Sequence, residues 1–148
     1  KDKSFDIVIA LDEYLTFFDE EELKAQIKWI SKITKSYFIT SLRDYKNQDF
    51  KTKDFSQPVI FKHSKEKRIF FEHYDYDIND RNNFFSTNYI IDDESVEIIG
   101  PFKRRNLYFK QLAKFSLDSG ASNFLVHKNL MHKSIIKRNF EHIITLKF

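Results

Sequence analysis

The sequence predicts an α/β domain that has a parallel strand–helix–strand unit at its start and a helix followed by two strands at its end. Three segments lead to this prediction: a nearly continuous apolar run over 5–11, an amphipathic segment over 20–34, and alternating apolar residues over 140–148. Continuous apolar runs are typical of strands buried on both faces, and alternation is typical of strands with one buried face. With 148 residues, the chain has the length of one domain or part of one.

The first three elements form the parallel unit. Residues 5–11 are predicted to be a central strand with neighbours on both sides. The acidic stretch that starts at Asp19 suits a helix N-terminus, and helically spaced apolar residues follow it, so we expect a helix over about 20–34. Residues 37–42 then form a second strand, which completes a right-handed βαβ unit.

The middle of the chain, 44–101, reads as an insertion. Aromatic-rich pieces at 68–74 and 84–91, together with 95–99, indicate two or three antiparallel strands separated by polar stretches. The dipeptide Gly100-Pro101 is the clearest break between elements in the sequence. We therefore expect the insertion to end there.

The last third predicts a helix over 103–118, and Gly120 is in the position of a C-terminal cap. Two strands follow, at 123–127 and 140–148, and a polar loop joins them. The chain should therefore end in a hairpin-like pair of strands.

Composition excludes several classes of function. The chain has no Cys, so disulfides, thiolate catalysis and Cys-based zinc sites are excluded. It has only two Gly residues, which cannot build a glycine-rich phosphate loop. No apolar run is long enough to span a bilayer and the first residues do not resemble a signal peptide, so we expect a cytoplasmic protein that does not bind membranes.

Charge is distributed unevenly along the chain. Residues 1–101 hold 15 basic and 20 acidic residues, whereas residues 102–148 hold 10 basic and 2 acidic residues. The net charges are thus −5 and +8. A basic region of this kind attracts polyanions such as nucleic acid, although solvated faces of a helix and a strand explain the same pattern.

The opening segment, Lys1-Asp2-Lys3-Ser4-Phe5-Asp6-Ile7-Val8-Ile9-Ala10-Leu11-Asp12, resembles the fourth-strand motif of class I S-adenosylmethionine-dependent methyltransferases. An acidic helix start, a helix and a fifth strand follow as in that family. The end of the chain is also similar, with a helix that closes at Ser119-Gly120-Ala121, a sixth strand, and a seventh strand inserted antiparallel. The resemblance covers residues 1–43 and 102–148.

The resemblance implies a fold, a cofactor, and which parts of the enzyme this chain would supply. The fold would be the C-terminal half of a Rossmann-like methyltransferase sheet, mixed because its last strand is antiparallel, with an inserted antiparallel segment. The cofactor would be S-adenosylmethionine. The family's glycine-rich cofactor turn would lie ahead of Lys1, so we expect an N-terminal half in the native protein and a substrate lid at 44–101.

The resemblance also implies site residues after the first strand, because open α/β sheets bind ligands beyond the carboxyl ends of their strands. Leu11 and Asp12 would border the cofactor. Asp12 and Glu13 would act as catalytic carboxylates that accept the proton of a nucleophile or orient an amine. The alternative is that these acids are solvated residues at the end of a strand that help to cap the next turn.

Aromatic and basic side chains supply candidates for substrate binding. Tyr14 and Phe17 follow the first strand closely and would stack on a planar group, unless they belong to the core. Arg104 and Arg105 lie at the start of the predicted helix, where positive charge opposes the helix dipole, so a phosphate or polyanion contact competes with a solvated basic loop. The five His residues show no zinc-helix spacing, and no metal site is predicted.

Two functional hypotheses remain open at this point. In the first, the chain is the substrate-side half of a methyltransferase that acts on an unknown nucleophile. In the second, it is a non-catalytic α/β module whose basic 102–148 region holds nucleic acid or an acidic partner.

Overall fold

A computed structural model describes residues 3–11, 13–43, 53–56, 58–63, 66–76, 79–80, 82–127 and 141–148. The chain forms two compact units, which are described separately below. The first unit contains β1 (Phe5–Ala10), α1 (Glu20–Ile33), β2 (Thr34–Arg43), α2 (Phe109–Asp118), β8 (Asn123–His127) and β9 (Glu141–Lys147). The second unit contains β3 (Lys53–Phe55), β4 (Val59–His63), β5 (Glu66–Tyr76), β6 (Asn83–Ile91) and β7 (Val96–Arg105).

The first unit is a four-stranded mixed sheet in the order β1-β2-β9-β8. β1 and β2 are parallel, and β9 lies antiparallel between β2 and β8. Both predicted strand pairs, 5–11 with 37–42 and 123–127 with 140–148, are therefore confirmed, and so is the mixed character of the sheet.

Helix α1 begins where its sequence predicts. The Oδ1 atom of Asp19 accepts a hydrogen bond from the backbone N–H of Glu22 at 2.9 Å, and the Glu22 carboxylate accepts one from the backbone N–H of Asp19 at 3.1 Å. This reciprocal capping satisfies two N–H groups that the helix leaves unpaired. Leu23, Ile27 and Ile30 are buried, so one face of α1 packs into the core.

The two faces of the first sheet differ in burial. On one face the side chains are fully buried, and they form the core of the unit with the apolar sides of the helices: Phe38, Leu42, Ile144 and Leu146. On the other face Ile7 is 51% exposed and Ile9 is 61% exposed. Register places Tyr37 beside Ile7, and these apolar side chains therefore share one uncovered face.

The position of β1 differs from the prediction. Among the described strands β1 pairs with β2 alone, so it is an edge strand of this sheet. The expectation of a strand buried with neighbours on both sides is wrong for the described part of the chain. Its apolar run is nevertheless that of a central strand, because an edge strand facing water normally carries charged or polar side chains.

The second unit is an antiparallel sheet in the order β3-β5-β6-β7, and β4 also pairs with β5. The sequence predicts two or three antiparallel strands in this region, whereas its described residues form five. One face of this sheet buries Tyr74, Tyr76 and Phe84. The centroids of their rings lie within 6.4 Å of one another.

The break expected at Gly100-Pro101 does not occur, because β7 continues through both residues to Arg105. Gly100 adopts φ 123° at an irregularity in the β6–β7 pairing, and a Cβ there would lie 3.0 Å from the carbonyl oxygen of Ser86. Glycine thus marks a close approach of two strands at this position. Helix α2 consequently starts at Phe109, six residues later than predicted. No helix of the described residues is long and apolar enough to cross a membrane.

Candidate functional site

Four strand ends meet at one edge of the first sheet. β1 ends at Ala10, β2 at Arg43 and β8 at His127, and the antiparallel β9 begins at the same edge with Glu141. Ligands of open α/β sheets bind beyond the carboxyl ends of the parallel strands. This edge is therefore where a site is expected, and the loop that follows β1 begins here.

Glu13 lies at this edge, and both its backbone and its side chain are held by hydrogen bonds. Its backbone lies in the left-handed region, with φ 57° and ψ 28°, which is uncommon for a residue with a Cβ. Its N–H donates to Oγ of Ser41 at 3.3 Å, and its carbonyl oxygen accepts from N and Oγ1 of Thr16 at 2.8 and 2.7 Å. The backbone of Glu13 thus joins the loop after β1 to the end of β2.

The Glu13 carboxylate forms a buried ion pair with Arg43. Its Oε1 atom accepts from the backbone N–H of Arg43 at 3.2 Å and lies 3.2 Å from Arg43 Nε. Glu13 is only 4% exposed. It is therefore not the solvated acid of the alternative interpretation, and these contacts give it the geometry of a residue that holds the loop in place.

The other predicted residues of this loop are Leu11 and Asp12, followed by Tyr14 and Phe17. Asp12 lies outside the described residues, and Leu11 is exposed. Tyr14 and Phe17 are exposed on a single 3₁₀ turn, Tyr14–Phe17, whose Leu15 and Thr16 are buried. The two rings are therefore surface groups near the sheet edge rather than core residues.

Arg104 and Arg105 lie in a different setting from the predicted one. Both belong to β7 in the second unit and precede α2 by several residues, so they do not oppose the dipole of that helix. Arg104 is buried, with its Nη1 atom 3.7 Å from Oε1 of Glu72 and its guanidinium over the ring of Phe84. The interpretation of this segment as a solvated basic loop is therefore wrong for Arg104.

The described basic residues of the 102–148 region are distributed over several elements. Lys103 and the two arginines are on β7, Lys110 and Lys114 are on α2, and Lys147 is on β9. The other four basic residues of this region lie outside the described residues, so a nucleic-acid contact of the region stays a prediction.

Sequence reasoning missed His142. This residue is paired with Leu42 at the carboxyl edge and is only 8% exposed. The sequence does contain a signal. Residues 142, 144 and 146 share one face of a strand, and the other two residues on that face, Ile144 and Leu146, are apolar. Within the described ranges no group of three His, Asp or Glu side chains is placed to hold a metal ion, so His142 is not part of a described metal cluster.

Comparisons with known proteins give a fold. No family model matches the chain, and no curated protein sequence matches it. Among solved structures, an S-adenosylmethionine-dependent methyltransferase from Clostridium acetobutylicum has a TM-score of 0.66 at 14% identity and is matched over 100% of this chain and 60% of its own.

Two further structures show the same likeness. CalS10, an amino pentose methyltransferase from Micromonospora echinaspora solved with S-adenosylmethionine bound, has a TM-score of 0.64 at 8% identity over 96% of this chain and 58% of its own. The sugar N-methyltransferase KedS8 from Streptoalloteichus has a TM-score of 0.59 at 8% identity over 96% of this chain and 56% of its own.

The chain therefore has the fold of the C-terminal half of a class I methyltransferase sheet, with an inserted antiparallel segment. The predicted fold class is confirmed. The chain spans roughly 60% of the length of the methyltransferases that it matches.

Proposed function

We propose that this chain is the substrate-side half of an enzyme that transfers a methyl group from S-adenosylmethionine. The observation that supports this most strongly is the strand order β1-β2-β9-β8 with a single antiparallel strand, together with the match of nearly the whole chain to methyltransferase structures. Fold alone does not determine chemistry, so the proposal also depends on what the sheet edge offers.

The uncovered side of the first sheet supports the half-enzyme interpretation. Ile7 and Ile9 are exposed on β1, and Tyr37 on β2 extends the same apolar face. A paired strand on the free side of β1 and a helical layer over this face would remove that apolar surface from water. An N-terminal half with the missing strands of the sheet is the partner that we propose for this surface.

The cofactor would lie in the crevice between β1 and that N-terminal half, and the described residues fit one wall of it. Leu11 is exposed beyond the end of β1, and the loop that follows is held by Glu13. When bound, S-adenosylmethionine supplies an electrophilic methyl group on a sulfonium. The residues of this chain would align the acceptor, exclude water and hold the acceptor's proton.

We assign the acceptor side to the loop after β1. Asp12 would orient the acceptor by hydrogen bonding, and the exposed rings of Tyr14 and Phe17 would contact it. CalS10 and KedS8 are named for an amino pentose and a sugar nitrogen, and we extend this to an amino group on a sugar-like acceptor here.

Calorimetric titration tests the proposal. The protein extended by the sequence encoded ahead of Lys1 should bind S-adenosylmethionine and transfer its methyl group to an amino sugar such as glucosamine. The 148-residue chain alone should bind the cofactor poorly or not at all, because one wall of the crevice is not part of it. Equal binding by both proteins would contradict the half-enzyme proposal, and absence of binding by the extended protein would contradict the methyltransferase proposal.

A further inference from the structure

His142 is a buried polar residue at the edge where the proposed active site lies. It is the second residue of β9, directly opposite Leu42, the penultimate residue of β2. Its ring meets the ring of Phe109, the first residue of α2, edge to face at 5.3 Å. The imidazole therefore lies between the end of the sheet and the first turn of a helix.

The surroundings of His142 do not satisfy the hydrogen-bonding capacity of its ring. Its Nδ1 atom is buried and has no hydrogen-bond partner within the described part of the chain. Leu42, Ile144 and Leu146 on the same face are fully buried apolar residues. The hydroxyl of Thr40, two residues along β2 on this face, is also buried without a partner.

An unpartnered buried polar atom lowers stability, whereas an apolar side chain of the same shape carries no such cost. Phenylalanine would fill the position of His142 beside the ring of Phe109. Unsatisfied buried groups in native proteins call for an explanation, and a role in binding or catalysis is one of the recognised explanations.

We infer that the imidazole of His142 contacts the methyl acceptor and takes up the proton that the acceptor loses. This inference rests on the proposed function. The acceptor's nitrogen forms a bond to the methyl carbon as the sulfur–methyl bond breaks, sulfur leaves as a neutral thioether, and the N–H proton passes to the imidazole. Histidine suits this role because a neutral imidazole has one ring nitrogen that can accept a proton.

The position of His142 is consistent with contact to the acceptor rather than to the cofactor. β9 is separated from β1 by β2, so two strand spacings of about 4.8 Å place it about 10 Å from the crevice beside β1. The reacting nitrogen of a sugar-sized acceptor would lie between the crevice and β9, within reach of the imidazole directly or through one water molecule.

The test uses the extended protein, labelled S-adenosylmethionine and glucosamine as the acceptor. We expect His142→Gln, which keeps a polar side chain without a base, and His142→Phe to lower kcat by about 10²–10⁴. Calorimetry should show cofactor binding unchanged in both variants. The melting temperature of His142→Phe should equal or exceed that of the wild type, because the unpartnered atom is removed.

His127→Gln is the matched control. His127 ends β8 at the same edge, is only partly buried, and has its Nε2 atom 3.2 Å from Oγ1 of Thr145. Wild-type turnover by His127→Gln together with the loss in both His142 variants would support the inference.

Three outcomes would overturn it. Wild-type kcat in His142→Gln removes the imidazole from the reaction, and a lower melting temperature in His142→Phe assigns the residue to stability. A wild-type protein that binds the cofactor but methylates no amino sugar excludes the amine acceptor. Failure of the wild type to bind the cofactor is separate, because it contradicts the proposed function as well.

Discussion

At the scale of single residues, Glu13 shows how a strand-end acid acquires a structural role. Its carboxylate meets Arg43 at 3.2 Å in a place where both side chains are largely buried. A buried ion pair contributes little net stability over an apolar pair, but removal of one partner leaves the other charge uncompensated. Because Arg43 is the last residue of β2, this pair joins the loop after β1 to the end of β2.

We expect Glu13→Ala to lower the free energy of unfolding by about 3–5 kcal/mol, because the guanidinium of Arg43 loses its buried counter-charge. Urea denaturation measures the change. The control is Glu21→Ala on the exposed first turn of α1, where the pair with Lys24 is solvated and the effect should be much smaller. Equal stability of the two variants would show that the Glu13 pair does not hold the loop.

At the scale of elements, β1 combines the sequence of a central strand with the exposure of an edge strand. Ile9 is 61% exposed although it lies in the apolar run Ile7-Val8-Ile9-Ala10-Leu11. Long, flat, apolar edges promote association with other strands. In the extended protein the same side chain should be covered by the N-terminal half.

The prediction for β1 is that Ile9→Lys has opposite consequences in the two proteins. In the 148-residue chain it should change stability by no more than about 0.5 kcal/mol and reduce self-association, because the site is exposed. In the extended protein it should lower the melting temperature markedly, since an unpaired charge is placed in an apolar site. Thermal denaturation and light scattering measure both effects.

Ile27→Lys provides the comparison, because Ile27 is fully buried on α1 in the described structure and its substitution should destabilise both proteins. If Ile9→Lys is neutral in the extended protein as well, nothing covers this face and the half-enzyme proposal loses its main physical support.

At the scale of the whole molecule, the chain divides into two units with separate sheets. The first unit has its own core of sheet and helix residues, and residues 49–106 of the second unit interrupt it. The chain leaves the first unit after β2 and returns to it before α2, so the second unit is an insertion in the first. The expectation that the inserted segment covers the substrate remains a prediction.

Replacement of residues 49–106 by a short Gly-Ser linker in the extended protein tests that prediction. The first unit should stay folded because its strands and helices are all retained, and cofactor binding should persist. Methyl transfer should fall strongly, because a lid excludes water and positions the acceptor. Circular dichroism, calorimetry and turnover measure the three results, and full turnover without the segment would exclude a lid.

Much of the fold follows from sequence because its signals are local. The acidic start of α1, its helically spaced apolar residues and the alternation in β9 each lie within one segment, and each predicts its element to within a few residues. The predicted ends of elements are less accurate where a strand continues through residues that usually break it, as β7 does at Gly100-Pro101. There the pairing with β6 outweighs the local preference, since glycine permits the close approach to Ser86.

The amino-acid sequence is sufficient to predict an α/β fold that resembles half of a class I methyltransferase sheet, with two parallel strands, an inserted antiparallel segment and a loop of acidic and aromatic residues after the first strand. Three features emerge from the folded chain alone: Glu13 pairs with Arg43, Arg104 is buried in the inserted sheet, and His142 is enclosed at the sheet edge without a partner for Nδ1 in the described part of the chain. The physical reason is that periodicity depends on neighbours along the chain, whereas burial, ion pairing and hydrogen-bond satisfaction depend on residues that are distant in sequence and adjacent in space.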